Sequence, residues 1–227
     1  MFARRGASGG GAVSYYYPVL LNLEGKRCLV IGDRWSAEER VNGLLEAGAE
    51  VTVRHPQLRP ALRALQEAGR IAWEAREFEA GCLDGFFLVV SATHDAELNR
   101  RVFEEAERRG VLVSSVDDIP SSRFIYPAIH RQGDLVIAVS TSGRSPALAS
   151  RLRDRIAAEV GPEYERFLEI VAPLRGELSA RVPDFETRKR IWHRVVDSEA
   201  LPRLRAGDEE GAREIVQSIL AGAGKET

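Results

Sequence analysis

Apolar positions along this chain follow two different periods. From Lys26 to Gly32 ("KRCLVIG") they are continuous, as in a parallel strand buried on both faces. From Ser36 to Ala47 they recur at helical spacing, and Gly48 closes the segment. "EVTVRH" is a second strand. "LRPALRALQEAG" is a helix with a proline in its first turn and Gly69 beyond its end. "RIAWEAR" alternates as a third strand and "DGFFLVVSAT" is a strongly apolar fourth. "DAELNRRVFEEAERRG" is an amphipathic helix stopped by glycine, and "VLVSSVDD" is a fifth strand. Strands alternating with short helices require right-handed crossovers and a parallel sheet. Residues 15–117 are therefore expected to form one α/β, Rossmann-like unit.

The rhythm then changes. "RFIYPAIHRQGDLVIAVST" holds two strand-like runs around Gln132-Gly133-Asp134, the pattern of a hairpin. Ser145 as N-cap and Pro146 at the first helical position start a helix that runs to Gly161-Pro162. Beyond it only helical periodicity remains, in "EYERFLEIVAPLRGELSARV", "DFETRKRIWHRVV" and "DEEGAREIVQSIL". The expected organisation is a disordered tail (1–14), the α/β unit (15–117), a small β/α segment (118–160) and an all-helical domain (161–221). The Tyr15-Tyr16-Tyr17 cluster is read as core packing at the start of the fold.

Composition narrows the classes. With 227 residues, 44% apolar and 29% charged, the chain is an ordinary globular one. A net charge of −2 disfavours nucleic-acid binding driven by bulk charge. Basic residues are nearly all arginine, with lysine only at Lys26, Lys189 and Lys225. Cys28 and Cys82 have neither disulfide-framework nor zinc spacing, and Cys28 is expected to be a buried thiol. No apolar run reaches the ~18–20 residues that span a bilayer, and the N-terminus lacks a secretory h-region. A reducing cytoplasm is the expected location.

In open α/β sheets, ligands gather at the carboxyl ends of the strands. After the first strand comes Gly32-Asp33-Arg34-Trp35-Ser36-Ala37, which keeps the first glycine and the closing small residue of Gly-x-Gly-x-x-Gly/Ala but has Arg34 at the middle glycine. That guanidinium could itself pair with a phosphate. The second strand ends in Arg54 rather than an acid. Arg54 is read as a solvated strand-end residue, with a 2′-phosphate contact as the alternative. His55, Pro56 and Gln57 follow the second strand; Thr93 and His94 follow the fourth. Asp117, after the fifth, is either a turn former or a general base beside a nicotinamide ring; Asp118 caps the turn. Ser142, Arg144, Ser145 and the N–H groups of "TSGRSP" make an anion site or a plain N-cap. His55, His94, His130 and His193 show no metal-ligand spacing, and no metal site is expected.

The segments "YPVLLNLEGKRCLVIG", "LLEAGAEVTV", "LVVSATHDAELNRRV", "VDDIPSSRFIYPAIHRQGDLVIAVSTSGRSPALASRLRDRI" and "RKRIWHRVV" occur in this order and spacing. Together they resemble the precorrin-2 dehydrogenase / sirohydrochlorin ferrochelatase family, the amino-terminal module of siroheme synthase, over residues 15–220. The resemblance implies an NAD-binding domain, a dimerisation segment (118–160) and a helical domain in an intertwined homodimer. It implies NAD-dependent oxidation of precorrin-2 to sirohydrochlorin, with Fe²⁺ insertion to siroheme in many members. With no methyltransferase domain in the sequence, a stand-alone form is expected.

The family's aspartate, implicated in both steps, aligns with Asp117. Its cofactor contacts fall on the first turn at Trp35 and Ser36, then on Pro56 and Gln57, with Thr93 in the matching loop; Gly32 and Arg34 of the same turn are expected to join them. A serine common in the dimerisation loop aligns with Thr141. A polycarboxylated tetrapyrrole would suit Arg123, Thr141, Ser142, Arg144 and Ser145 electrostatically. The family's first turn is usually Gly-Gly-Gly-x-Val-Ala. Here Asp33 adds a charge near the pyrophosphate, and Trp35 covers the cofactor or fills its place. Three readings stay open: a dehydrogenase with or without chelatase activity, a chelatase alone, and a non-enzymatic tetrapyrrole-binding relative that has lost NAD.

Overall fold

Strand β1 (Arg27–Ile31) shows why its apolar run is continuous. Cys28 and Val30 face one core with Val41, Leu44, Val51, Val53 and Leu62; Leu29 and Ile31 face another with Phe78, Leu83, Phe86, Val102 and Ala106. Each fully buried Val or Leu contributes about 1.5–3 kcal/mol, so both faces must be covered. Helices α1 (Trp35–Glu46) and α2 (Pro60–Glu67) supply one cover. Helix α3 (Ala96–Arg109) and the loop through Phe78–Phe86 supply the other.

The computed structural model describes residues 16–222, so the expected 1–14 tail and Tyr15 lie outside the described residues. The chain divides into two units, one ending at Tyr126 and one beginning at Pro127. In the first, β1 pairs with β2 (Glu50–Arg54) and β4 (Leu88–Ser91), with β3 (Ala72–Glu74) and β5 (Leu112–Ser115) outside them. All pairs are parallel, in the order β3-β2-β1-β4-β5. This is the expected Rossmann-like sheet. Its register aligns the strand ends: Ile31 is opposite Arg54 and Ser91, and Ser91 is opposite Ser115. The residues that follow these ends, Gly32, His55, Ala92 and Val116, therefore start loops along one edge.

In the second unit, β6 (Ala128–Gln132) and β7 (Leu135–Val139) form the expected antiparallel hairpin, turning through Gly133 at φ 53°. Helix α4 (Pro146–Glu159) packs on it and begins at Ser145, whose Oγ accepts from Leu148 N. Helices α5 (Glu163–Val171), α6 (Leu174–Arg181), α7 (Phe185–Val196), α8 (Ala200–Arg205) and α9 (Glu209–Gly222) enclose Phe167, Ile170, Leu178, Ile191, Val195 and Val216.

Three expectations change. The run read as one helical stretch breaks at Ala172-Pro173, because proline has no N–H to continue the ladder. Helix α8 carries no periodic signal of its own; it forms by packing on α5 and α9. Tyr17 is 86% exposed rather than part of a core.

Candidate functional site

The β1–α1 turn is shaped by a close approach. Gly32 has φ 106°, and a Cβ there would lie 2.6 Å from Ala92 O. Only glycine allows β1 and β4 to come together at this point, where the strand order reverses and a crevice opens. Gly32 N donates to Arg54 O at 3.0 Å. Arg34 is the N-cap of α1 and makes no side-chain cap bond, as at α2, α5, α6 and α8; α3, α4 and α7 are capped by Asp95, Ser145 and Asp184. The first-turn N–H groups of α1 thus face the crevice end without a side-chain acceptor, as an anionic ligand requires. Arg34 and Trp35 are exposed (Trp35 66%), while Ser36 and Ala37 are buried against the sheet. These residues fit a dinucleotide pyrophosphate: a glycine no Cβ can replace, an uncapped helix start and a free-standing guanidinium.

Asp33 points along the edge toward β2. Its Oδ2 lies 3.7 Å from His55 Nδ1. His55 Nδ1 lies 2.7 Å from Gln57 O and 3.3 Å from Gln57 N, so His55 folds back on the Pro56-Gln57 turn. Pro56 and Gln57 are exposed.

Arg54 is not the solvated residue its position suggested. It is 3% exposed and ion-paired with Glu74, its register partner on β3, and its Nε is buried with no hydrogen-bond partner. Its side chain shares the face of Thr52, beneath the loop that carries Phe78 and Cys82, because Ile31 and Arg54 lie on the same side of the sheet.

Thr93 follows β4 and accepts from Asp95 N through Oγ1 at 3.0 Å. Asp95 in turn caps α3 by accepting from Glu97 and Leu98 N–H. Ser91 Oγ donates to Asn99 Oδ1 at 2.7 Å, which fixes α3 against the end of β4.

Asp117 is exposed and adopts φ 61°, a left-handed conformation that few residues other than glycine, Asn and Asp adopt. The turn around it is over-determined. Val116 N donates to Ser91 O at 2.9 Å, and Asp118 bridges back to Ser115. Ser122 Oγ donates to Asp118 O at 2.8 Å and accepts from Ser115 N at 2.9 Å. Asp118 accepts from Ser121 N and caps the 3₁₀ turn Ile119–Ser121, as its sequence position predicts. Backbone strain held in this way is typical of functional positions. The pinning role of Ser122 was legible only as a turn-forming "DDIPSS".

Arg123 is held by Glu107, with Nε 2.6 Å from Oε1, and stacks over the Phe103 ring at 5.0 Å. Glu107 holds the guanidinium in its charged form, and Arg123 in turn holds the Glu107 carboxyl below its ordinary range. In the second unit, Thr141 Oγ1 accepts from Ser145 N at 3.0 Å and Thr141 O accepts from Arg144 N at 3.1 Å. Ser142 sits at φ 54°, and the Arg144 side chain is exposed. The structure thus brings Gly32–Ser36, Pro56, Gln57, Thr93 and Asp117 to one edge of the first unit. It gathers Thr141–Ser145 in one turn of the second.

Cys28 is buried, and burial pushes its thiol up to about 11. Among the described residues, no group of three or more His, Cys, Asp or Glu converges as a metal site, and no helix is long and apolar enough to cross a membrane.

Comparison with known proteins matches three regions in sequence. Residues 19–128 match the family described as "Putative NAD(P)-binding", residues 132–159 "Sirohaem biosynthesis protein central" and residues 163–220 "Sirohaem synthase dimerisation region". Siroheme synthase of Chromobacterium violaceum is 36% identical over 209 residues, covering 92% of this chain and 44% of that protein. Siroheme synthase 1 of Cronobacter sakazakii is 37% identical over 205 residues, covering 90% and 44%. The chain thus spans less than half the length of these curated relatives. Among solved structures, "SirC, precorrin-2 dehydrogenase" superposes with a TM-score of 0.72 at 25% identity, covering 90% of this chain and 98% of that one.

Proposed function

The chain belongs to the siroheme synthase / precorrin-2 dehydrogenase family, and on that premise we propose that it oxidises precorrin-2 to sirohydrochlorin with NAD⁺. The observation that carries this reading is the shared strand edge: an uncapped helix start and close-packed Gly32 after β1, and the exposed, strained Asp117 after β5.

When bound, NAD⁺ accepts a hydride. Gly32, Arg34, Trp35 and Ser36 would hold its pyrophosphate, with Pro56, Gln57 and Thr93 lining the flanking loops. Asp117 takes the proton that the substrate loses with the hydride, so the products are sirohydrochlorin, NADH and a proton. Pinning by Ser122 and Asp118 fixes the backbone from which the Asp117 side chain projects. On the first unit, Arg123 would meet a substrate carboxylate once that carboxylate replaces Glu107; taken by itself, the second unit's exposed Arg144 and Ser142–Ser145 turn suits an anionic group.

The reading extends to Fe²⁺ as a second substrate. Asp117 would then accept pyrrole N–H protons as iron enters. It also extends to a homodimer in the cytoplasm. Ile129, Leu148 and Leu152 are exposed on the hairpin and α4, and residues 163–220 match the dimerisation description. Reduced, unpaired Cys28 and Cys82 suit a reducing compartment. A chelatase without dehydrogenase activity is favoured by one feature, the Asp33 carboxylate in the pyrophosphate turn. Anaerobic incubation with precorrin-2 and NAD⁺ separates the two. One NADH per sirohydrochlorin is the expected result. Siroheme formation from sirohydrochlorin and Fe²⁺ without any NADH from precorrin-2 would sink the dehydrogenase reading.

A further inference from the structure

A dinucleotide lying across the ends of β1 and β2 sets its adenosine ribose against the end of β2. An acidic side chain there accepts from the ribose hydroxyls, or a cation takes a 2′-phosphate. In this chain β2 ends Arg54-His55-Pro56, with no acid. Its arginine is withdrawn: Arg54 is 3% exposed and paired with Glu74. The next arginine, Arg59, is held by Glu38 at 3.1 Å.

A carboxylate reaches this place from the other strand. Asp33, in the position where the family's turn usually has glycine, lies 3.7 Å from His55 and keeps 23% of its side chain open; His55 keeps 33%. His55 is itself fixed by the Gln57 backbone.

We propose that Asp33, beside His55 at the end of β2, selects an unphosphorylated adenosine ribose over a 2′-phosphorylated one. This rests on the dinucleotide reading above. The carboxylate accepts hydrogen bonds from the ribose hydroxyls, while a 2′-phosphate in the same place meets a like charge and finds Arg54 unavailable. His55 is a positioning residue: its ring, fixed by the Gln57 backbone, lies 3.7 Å from the Asp33 carboxylate on the β2 side of the turn. The departure at position 33 is then a specificity device, and its charge does not block the cofactor.

Calorimetric titration of NAD⁺ and NADP⁺ into the wild type, Asp33→Asn, Asp33→Gly and His55→Gln tests this. The wild type should prefer NAD⁺ by about 10–100-fold, the range of a hydrogen bond to a charged group. Both Asp33 variants should bring the ratio close to one, and His55→Gln should reduce it partway. NADP⁺ binding as tight as NAD⁺ in the wild type would overturn the inference. So would a ratio unchanged in both Asp33 variants while NAD⁺ still binds. Failure of the wild type to bind either dinucleotide would overturn the dinucleotide reading and this inference with it.

Discussion

Two residues, Asp117 and Gly32, show opposite uses of the left-handed backbone. Asp117 carries φ 61° with no packing reason for a carboxylate, since its side chain is exposed. Replacing it with glycine removes the conformational cost, so Asp117→Gly should keep or raise stability by about 1 kcal/mol. Its dehydrogenase turnover should fall about 10²–10⁴-fold, the usual weight of a general base. Chemical denaturation and NADH formation on the same preparation check both halves; a variant that loses stability along with turnover would reduce Asp117 to a turn former. Gly32 is the reverse case. Gly32→Ala must place a Cβ against Ala92 O at φ 106°, and should cost about 1–3 kcal/mol in a denaturant melt. The sequence showed where these residues lie, because strand ends and a turn-rich "VDDIPSS" mark them. It did not show the fate of Arg54, because burial of its charge depends on Glu74 arriving from β3 in register.

At the scale of elements, that cross-strand pair should matter more than its sequence suggests. Glu74→Gln leaves the buried guanidinium uncompensated and should destabilise by about 3 kcal/mol. Arg54→Met, which removes the charge and keeps the volume, should cost less; urea melts of the two variants decide. The second unit has its own tie. Glu163 at the start of α5 is buried, and Arg205 of α8 bonds its carboxylate at 2.6 Å. Burial works against the charge on Glu163. Arg205 and the backbone N–H groups at Gly161 and Glu163 outweigh it and hold the carboxyl below its ordinary range. A depressed folded-state pKa contributes stability that is present above the ordinary carboxylate pKa of about 4.5 and is lost as pH falls through the folded value. The melting temperature should therefore fall as the pH drops below about 4.5, and Arg205→Ala should weaken that dependence. Equal slopes in wild type and variant would contradict it. Elements with long periodic patterns, such as β1, α3 and α4, were legible from spacing alone. Helix α8 and the break at Pro173 were not, because six residues cannot establish a period and a proline is compatible with either a kink or a stop.

At the scale of the molecule, the α/β character and the parallel sheet followed from the alternation of strands and helices. The strand order β3-β2-β1-β4-β5 gives that sheet its crevice at β1 and β4. The proposed homodimer was expected from the family resemblance and from no pattern in the sequence, because β6 and β7 look like any hairpin until their exposure is known. A two-stranded sheet is marginal alone, and Ile129 at 44% and Leu148 at 51% exposure lie on the hairpin and the helix that packs on it. Sedimentation should give twice the 25.1 kDa chain mass, and Ile129→Asp with Leu148→Asp should shift the protein toward the monomer. A wild type that sediments as a monomer at high concentration would remove the homodimer from the account.

On the reading proposed above, the turn Gly32-Asp33-Arg34-Trp35-Ser36-Ala37 is a working cofactor site although it lacks the family's inner glycines. Calorimetric titration of NAD⁺ into the wild type, with Arg34→Gly beside it, tests this most directly. Binding at about micromolar affinity, near −8 kcal/mol, is expected in the wild type, with little gain from the added glycine. No heat from the wild type, together with binding restored by Arg34→Gly, would mean that the turn is closed and the dehydrogenase reading is wrong.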